Sequence, residues 1–211
     1  MTNSSVDHSM PGKWYFAPLL MMFVLVVSGC SLMRPTPELP QNLTPEARSD
    51  YLSQLDYWQL TGRIGIIANG ESNSANISWQ KNKQTTSVRI YGALGATYAL
   101  VTQTPTGATI KLSGDEVYQG DDAQLLLWQT TGWHIPINQL QQWILGLHQN
   151  APQYQLNPQG YVESIAFDQW QLSFNRYQSF YGLAMPKKLR ATHPDITIKF
   201  AIYDWAFVNH D

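Results

Sequence analysis

Asp121-Asp-Ala-Gln-Leu-Leu-Leu-Trp-Gln-Thr-Thr-Gly132, followed by Trp133-His-Ile-Pro-Ile-Asn138 and Gln139-Leu-Gln-Gln-Trp-Ile-Leu-Gly146, reads as two short helices in a chain that otherwise alternates like β-strands. Asp121 suits an N-cap, Asp122 the positive first turn, and Gly132 the left-handed residue just past a helix end. Pro136 bars helix upstream of the second segment, Asn138 can cap it, and Gln141 stands where a capping box reaches back. Leu140, Trp143, Ile144 and Leu147 share one face at helical spacing, while Ala123, Leu126, Leu127 and Thr130 give the first helix a mixed stripe. Helices this short and this apolar on one side need a surface to cover, and strands on either side supply it.

Upstream, Trp58, Leu60, Ile64 and Ile66 share a face opposite Gln59, Thr61 and Arg63. Asn69-Gly70 is a strong hairpin dipeptide. The return run turns Ala75, Ile77 and Trp79 inward, and after a turn at Lys81 to Gln84 come Thr86, Val88 and Ile90. In Tyr91-Gly92-Ala93-Leu94-Gly95 two glycines bracket Ala-Leu, which places Leu94 on a flexible turn between strands. Tyr98 to Thr102, Ala108 to Leu112 and a short Val117-Tyr118 run follow. Beyond the helices, strands resume at Tyr161 to Phe167, then Trp170, Leu172 and Phe174, then Leu183 to Ala191 and Ile196 to Trp205. Short turns between sequential strands imply an antiparallel meander. About ten or eleven strands exceed what a flat open sheet carries. The expected fold is therefore mainly β, a strongly curved antiparallel sheet or partial barrel with the short helices filling its concave side.

The N-terminal part reads differently. Trp14 to Val27 is an apolar run broken by Pro18, the size of a signal-peptide core, and it ends in Val27-Ser28-Gly29-Cys30. Cys30 is the chain's one cysteine and stands where a bacterial lipoprotein signal requires it. Residues 1–29 are thus expected to be a lipoprotein signal peptide, 30–43 the lipid anchor and a proline-rich tether that does not pack, and 44–211 the folded domain. Thr44-Pro45 opens a helix expected to reach about Asp56, with Ala47, Tyr51 and Leu55 stacked and Leu52 beside them. Cleavage leaves no cysteine to pair, so the domain relies on its core.

A formal net charge of -2 and a pI near 6.2 leave no basic footprint of the kind nucleic-acid binding requires. The histidines left after cleavage, His134, His148, His193 and His210, are isolated in sequence, and no pair has helical ligand spacing. No Gly-x-Ser-x-Gly elbow appears, and Asp115-Glu116 and Asp121-Asp122 flank turns or a helix start. His134 reads as a hydrogen-bonded loop histidine, and Arg63, Arg89 and Arg176 as solvent-exposed. Neither a catalytic residue nor a metal ligand is assigned, and an enzyme is not expected.

With these residues in view, the stretch from roughly Leu43 to Trp205 resembles the LolB family, the outer-membrane lipoprotein receptors of the lipoprotein localisation pathway. The resemblance rests on Gly62-Arg63, Trp79-Gln80, the Tyr91 to Gly95 loop, Gly132-Trp133, and above all Ile135-Pro-Ile-Asn-Gln-Leu-Gln-Gln-Trp-Ile-Leu-Gly146. Ala93 departs from it, since the family often has proline before the leucine. The resemblance implies an unclosed antiparallel β-barrel or half-barrel with short helices as its lid, and an apolar cavity that takes the acyl chains of lipoproteins handed over by the periplasmic carrier LolA and releases them into outer-membrane lipid. It implies a membrane-transfer loop at Gly92, Ala93, Leu94 and Gly95. Ser31, after Cys30, is not the aspartate that retains lipoproteins in the inner membrane, so an outer-membrane location facing the periplasm is expected. No cofactor is expected beyond the covalent lipid on Cys30, and the chain is expected to be a monomer.

Carrying one acyl chain of ~14 methylenes through water costs on the order of 11 kcal/mol, so each end of an aqueous transit needs an apolar container. The candidates to line it are the inward residues Trp58, Leu60, Ile64, Ile66, Ile77, Trp79, Val88, Ile90, Leu140, Trp143, Ile144, Trp170, Leu172, Phe174 and Phe200. For any one of them plain core packing is the commoner state, so the expectation concerns the set. The alternative function is a lipid-anchored structural or assembly protein whose sheet has a solid core, and a third is a periplasmic hydrolase with residues that converge only in space.

Overall fold

The computed structural model describes residues 1–2, 39–149 and 151–207. The signal beyond its first two residues, Cys30 and the tether up to residue 38 lie outside them. Eleven strands, β1 (Tyr57–Ala68), β2 (Glu71–Asn82), β3 (Thr85–Tyr91), β4 (Thr97–Thr104), β5 (Gly107–Leu112), β6 (Val117–Gly120), β7 (Gln153–Leu156), β8 (Val162–Phe167), β9 (Trp170–Phe180), β10 (Leu183–His193) and β11 (Ile196–Phe207), make one antiparallel sheet. Among the described residues three short helices accompany it: α1 (Pro45–Ser53), α2 (Ala123–Thr131) and α3 (Ile137–Trp143). Among the described residues no helix is long and apolar enough to cross a membrane.

The spatial order is β6-β5-β4-β3-β2-β1-β11-β10-β9-β8-β7. This corrects the single meander: two meanders are joined where the first strand pairs with the last, Ile64 opposite Phe200 and Ile66 opposite Ile198. The outcome is mechanical. β6 and β7 are the two free edges, so the chain between them, which carries α2 and α3, must run from one edge of the sheet to the other. Alternation sets what those helices meet. Leu60, Trp79, Val88, Val101 and Ile110 form one cross-strand rung, and Ile77, Ile90, Ala99 and Leu112 form the next.

Local chemistry fixes the turns. Asn69 and Gly70 both take positive φ (53° and 78°), the requirement of a type I′ hairpin. Gly62 sits at the bulge between β1 and β11, where a Cβ would strike the Ala201 carbonyl oxygen. The α2 cap is Asp122, not Asp121, with its carboxylate accepting from the Leu125 N–H at 2.9 Å, and Gly132 closes the helix at φ 76°. The second helix begins one residue before Asn138: Pro136 occupies the cap position without a side-chain bond, and Gln141 turns to Thr86 instead. Proline's fixed φ and missing donor suit that position, so no capping box is needed.

At the N-terminus α1 stops at Ser53, and its buried residues are Arg48 and Leu52, one turn apart, rather than a stack beginning at Ala47, which is exposed. The tether packs at its end. Leu39 is 5% exposed within the main core, and Gln41 donates to the Tyr181 carbonyl in the β9–β10 turn at 3.1 Å. That core gathers α1, α3 and β1, β2 and β8 to β11 around Trp58, Trp143 and Trp205. A smaller cluster, Val101, Ala108, Ile110, Ala123, Leu126 and Ile137, sits under α2.

Candidate functional site

Between the two clusters the packing does not close. A cavity of about 180 Å³ lies where they would meet, walled by β1 to β5 and β11 on one side and by α2, α3 and their connection on the other. Of the residues expected to line a container, Ile64, Ile66, Ile77, Trp79, Val88, Ile90, Leu140 and Phe200 border it. Trp58, Leu60, Trp143, Ile144, Trp170, Leu172 and Phe174 do not; they are buried in the main core, Trp58 beside a separate cleft next to α1 and α3. The wall also includes Ala99, Val101, Ile110, Leu112, Leu127, Thr130, Thr131, Trp133, Ile135, Ile137 and Ile198, absent from the sequence-based set. Five of them, Ala99, Val101, Ile110, Leu112 and Ile198, continue the same inward alternation on β4, β5 and β11, so for these the signal was present; the other six lie on the helices and their connection.

Two threonines on an apolar wall need an account. Thr130 Oγ1 donates to the Leu126 carbonyl at 2.8 Å and Thr131 Oγ1 to that of Leu127 at 2.6 Å. Each hydroxyl is satisfied by its own helix. One polar atom on the wall is not: the indole N–H of Trp79 is buried without a partner among the described residues. An orphan donor in a dry site costs roughly 1–3 kcal/mol.

The helical cover is pinned at separate points. Gln103 accepts from the Ala123 N–H at 2.7 Å and fixes the start of α2. Thr86 donates to Gln141 Oε1 at 2.5 Å, and Trp170 Nε1 donates to the His134 carbonyl at 3.1 Å. The exit of α3 is held by Arg48, which sequence reasoning missed. Its guanidinium, 3% exposed, donates to the carbonyls of Leu145 (2.6 Å) and Ala184, and faces the rings of Tyr161 and Tyr177 at 5.6 and 5.8 Å. Burial lowers its pKa to about 10, against the opposing influence of the two tyrosines, and burial likewise raises that of Tyr177. These pins are polar, whereas the groups that the cover turns to the cavity are mostly apolar.

Leu94 stands outside this core, fully exposed (101%). Its turn, between β3 and β4, is braced by hydrogen bonds. Gly95 (φ 87°) donates to the Gly92 carbonyl at 3.0 Å, Gly92 to that of Ala96 at 2.8 Å, and Arg89 to the Gly95 carbonyl and Thr97 Oγ1, both at 2.8 Å. This is the hydrogen-bond pattern of a hairpin with a G1 bulge. A Cβ on Gly92 would collide with the Tyr98 hydroxyl. The leucine is therefore presented, with the backbone beneath it held.

The histidines have separate environments. His134 stacks on Trp128 (5.3 Å), His193 pairs with Asp195 (3.7 Å), and His148 packs on Tyr154 (4.0 Å) with its pKa lowered by burial. Among the described residues no group of three His, Cys, Asp or Glu side chains is placed to hold a metal.

Comparison with known proteins agrees with this architecture. The Outer-membrane lipoprotein LolB of Vibrio cholerae serotype O1 is 31% identical over 193 residues, covering 88% of this chain and 93% of its own. That of Vibrio campbellii is 30% identical over 195 residues, covering 89% and 95%. A solved DUF1329 family protein from Desulfovibrio piger shares the fold alone, with a TM-score of 0.50 at 9% identity over 79% of this chain and 92% of that one. The family profile described as Outer membrane lipoprotein LolB matches residues 56–205, and the chain belongs to that family.

Proposed function

We propose that this chain is an outer-membrane lipoprotein receptor: held to the membrane by lipid on Cys30, it accepts acylated lipoproteins from a LolA-type periplasmic carrier into the apolar cavity and passes them to outer-membrane lipid. The observation that carries the reading is the unfilled apolar space beneath the helices, with a fully exposed leucine on a braced turn outside it. Family membership supports the same role. Leu94, flanked by Gly92, Ala93 and Gly95, is the residue that meets the bilayer during delivery.

Size constrains the mechanism. An engineered cavity of ~150 Å³ takes up benzene, so about 180 Å³ accepts only part of one long acyl chain. Cargo entry then requires α2 and α3 to lift from the sheet. Apolar groups of Leu127, Trp133, Ile135, Ile137 and Leu140 would leave the sheet and meet the acyl chains instead, exchanging one burial for another at little net cost. No nucleotide is needed if each step runs downhill.

The test uses protein made without residues 1–30. It should bind a fluorescent fatty-acyl probe and should remove the lipid-bearing cargo from purified carrier–lipoprotein complex. A chain that binds no probe and leaves the cargo on the carrier is the solid-cored scaffold of the alternative reading.

A further inference from the structure

The face of the sheet turned away from the helices carries an arrangement that folding alone disfavours. Arg190 stands directly opposite Lys199, and on a neighbouring rung Arg176 stands directly opposite Lys188; all four are exposed. Like charges directly opposite on antiparallel strands destabilise a sheet. Arg63 joins them across Ala201, which Lys188 also faces. The strands β1, β9, β10 and β11 contribute a single carboxylate, Asp204, which stands opposite Thr61. Among the described residues the one ion pair is His193–Asp195, so none of these five cations is paired with an acid. A protein with a formal net charge of -2 thus concentrates positive charge on one patch and leaves it uncompensated.

The patch runs toward Leu94. Arg63 is opposite Asn76, Asn76 is opposite Tyr91, and the Asn76 amide donates to the Gly92 carbonyl at 3.3 Å, at the base of the leucine turn. Clustered cations near a fully exposed leucine are what an interface with an anionic bilayer requires: charge for the headgroups and an apolar group for the acyl boundary. We propose that the outer face bearing Arg63, Arg176, Lys188, Arg190 and Lys199 docks on a bilayer surface containing anionic phospholipid, and so holds the body with Leu94 at the leaflet. This rests on the receptor reading above for its purpose, but not for its chemistry.

The experiment uses the full chain purified from membranes and reconstituted in vesicles, with Ser74→Cys on this face as the free thiol for a fluorophore. Quenching by headgroup-located quencher lipid is compared in phosphatidylcholine with and without phosphatidylglycerol. Quenching should rise with phosphatidylglycerol and fall back in high salt. Lys188→Gln/Arg190→Gln/Lys199→Gln should weaken the anionic-lipid-dependent association about fivefold per charge, on the order of a hundredfold in all. Arg190→Glu, which creates an opposite-charge pair with Lys199, should melt no lower than the parent and still associate less. Equal quenching in both lipids, or quenching untouched by these variants, overturns the proposal. So does a variant that slows transfer from the carrier while the vesicle signal is unchanged, since the face would then meet a protein. Fatty-acyl probe binding, measured on the same variants, reports separately on the receptor reading and should not change.

Discussion

Ala99→Phe should make the protein more stable and less able to take up lipid at once. Ala99 stands on β4 opposite Ile90, a rung away from Val101, and borders the cavity. The substitution adds a six-carbon ring, the load that a ~150 Å³ cavity accepts as benzene, so a cavity of about 180 Å³ is nearly filled. Burying the ring contributes ~1.5–3 kcal/mol, offset by ~0.5–1 kcal/mol of lost rotamer freedom. The net gain of ~1–2 kcal/mol should raise Tm by about 2–8 °C in a domain of this size. Fatty-acyl probe affinity, titrated on the same preparation, should fall on the order of tenfold or more, because the probe must now displace a covalently held occupant. A raised Tm with unchanged probe affinity would refute the reasoning, since the lipid would then be bound elsewhere. A Tm lower by several degrees would mean that the space cannot accept a ring.

Further outcomes follow from other sites. Leu94→Glu should leave Tm and probe binding unchanged, because the side chain touches no core, while delivery of cargo to vesicles stalls; transfer assays read the difference. Arg48→Met should destabilise by on the order of 2 kcal/mol in urea denaturation, since two buried carbonyls lose their donor and the relieved desolvation of the cation offsets only part of that. Burial lowers the His148 pKa, so below the ordinary value of 6.5 the unfolded chain takes up the proton more readily than the fold. That contribution to stability is intact above 6.5 and lost as pH falls below it. The gap in Tm between about pH 7.5 and about pH 5.5 should therefore narrow in His148→Gln.

What could be read from residues alone was whatever is local and periodic. Inward alternation in β1, β2, β9 and β11, the Asn69-Gly70 turn and the face of Leu140, Trp143, Ile144 and Leu147 all stand as expected. β7 escaped notice because Gln153 to Leu156 are all exposed and so carry no apolar period. The pairing of β1 with β11 was out of reach for another reason: alternation says which face is buried, never which distant strand lies alongside. Arg48 was hidden because a charged residue in an amphipathic helix reads as solvated, and only the carbonyls of Leu145 and Ala184, remote in sequence, explain its burial. Which inward side chains border the cavity was hidden for a similar reason, since Trp79, on its wall, and Trp143, away from it, look the same from sequence.

The burial of Leu39 has a consequence for how firmly anything here must grip. Residues 31–38 separate that leucine from Cys30, and a chain of that length reaches at most ~30 Å. With Cys30 lipidated as proposed, the body is leashed within about its own width of the bilayer, at a local concentration on the order of millimolar. Contacts too feeble to keep a free-swimming protein on a membrane are then sufficient. A short rope makes weak, quickly broken holds enough, and such holds would suit the proposed receptor, which must let go of what it takes up.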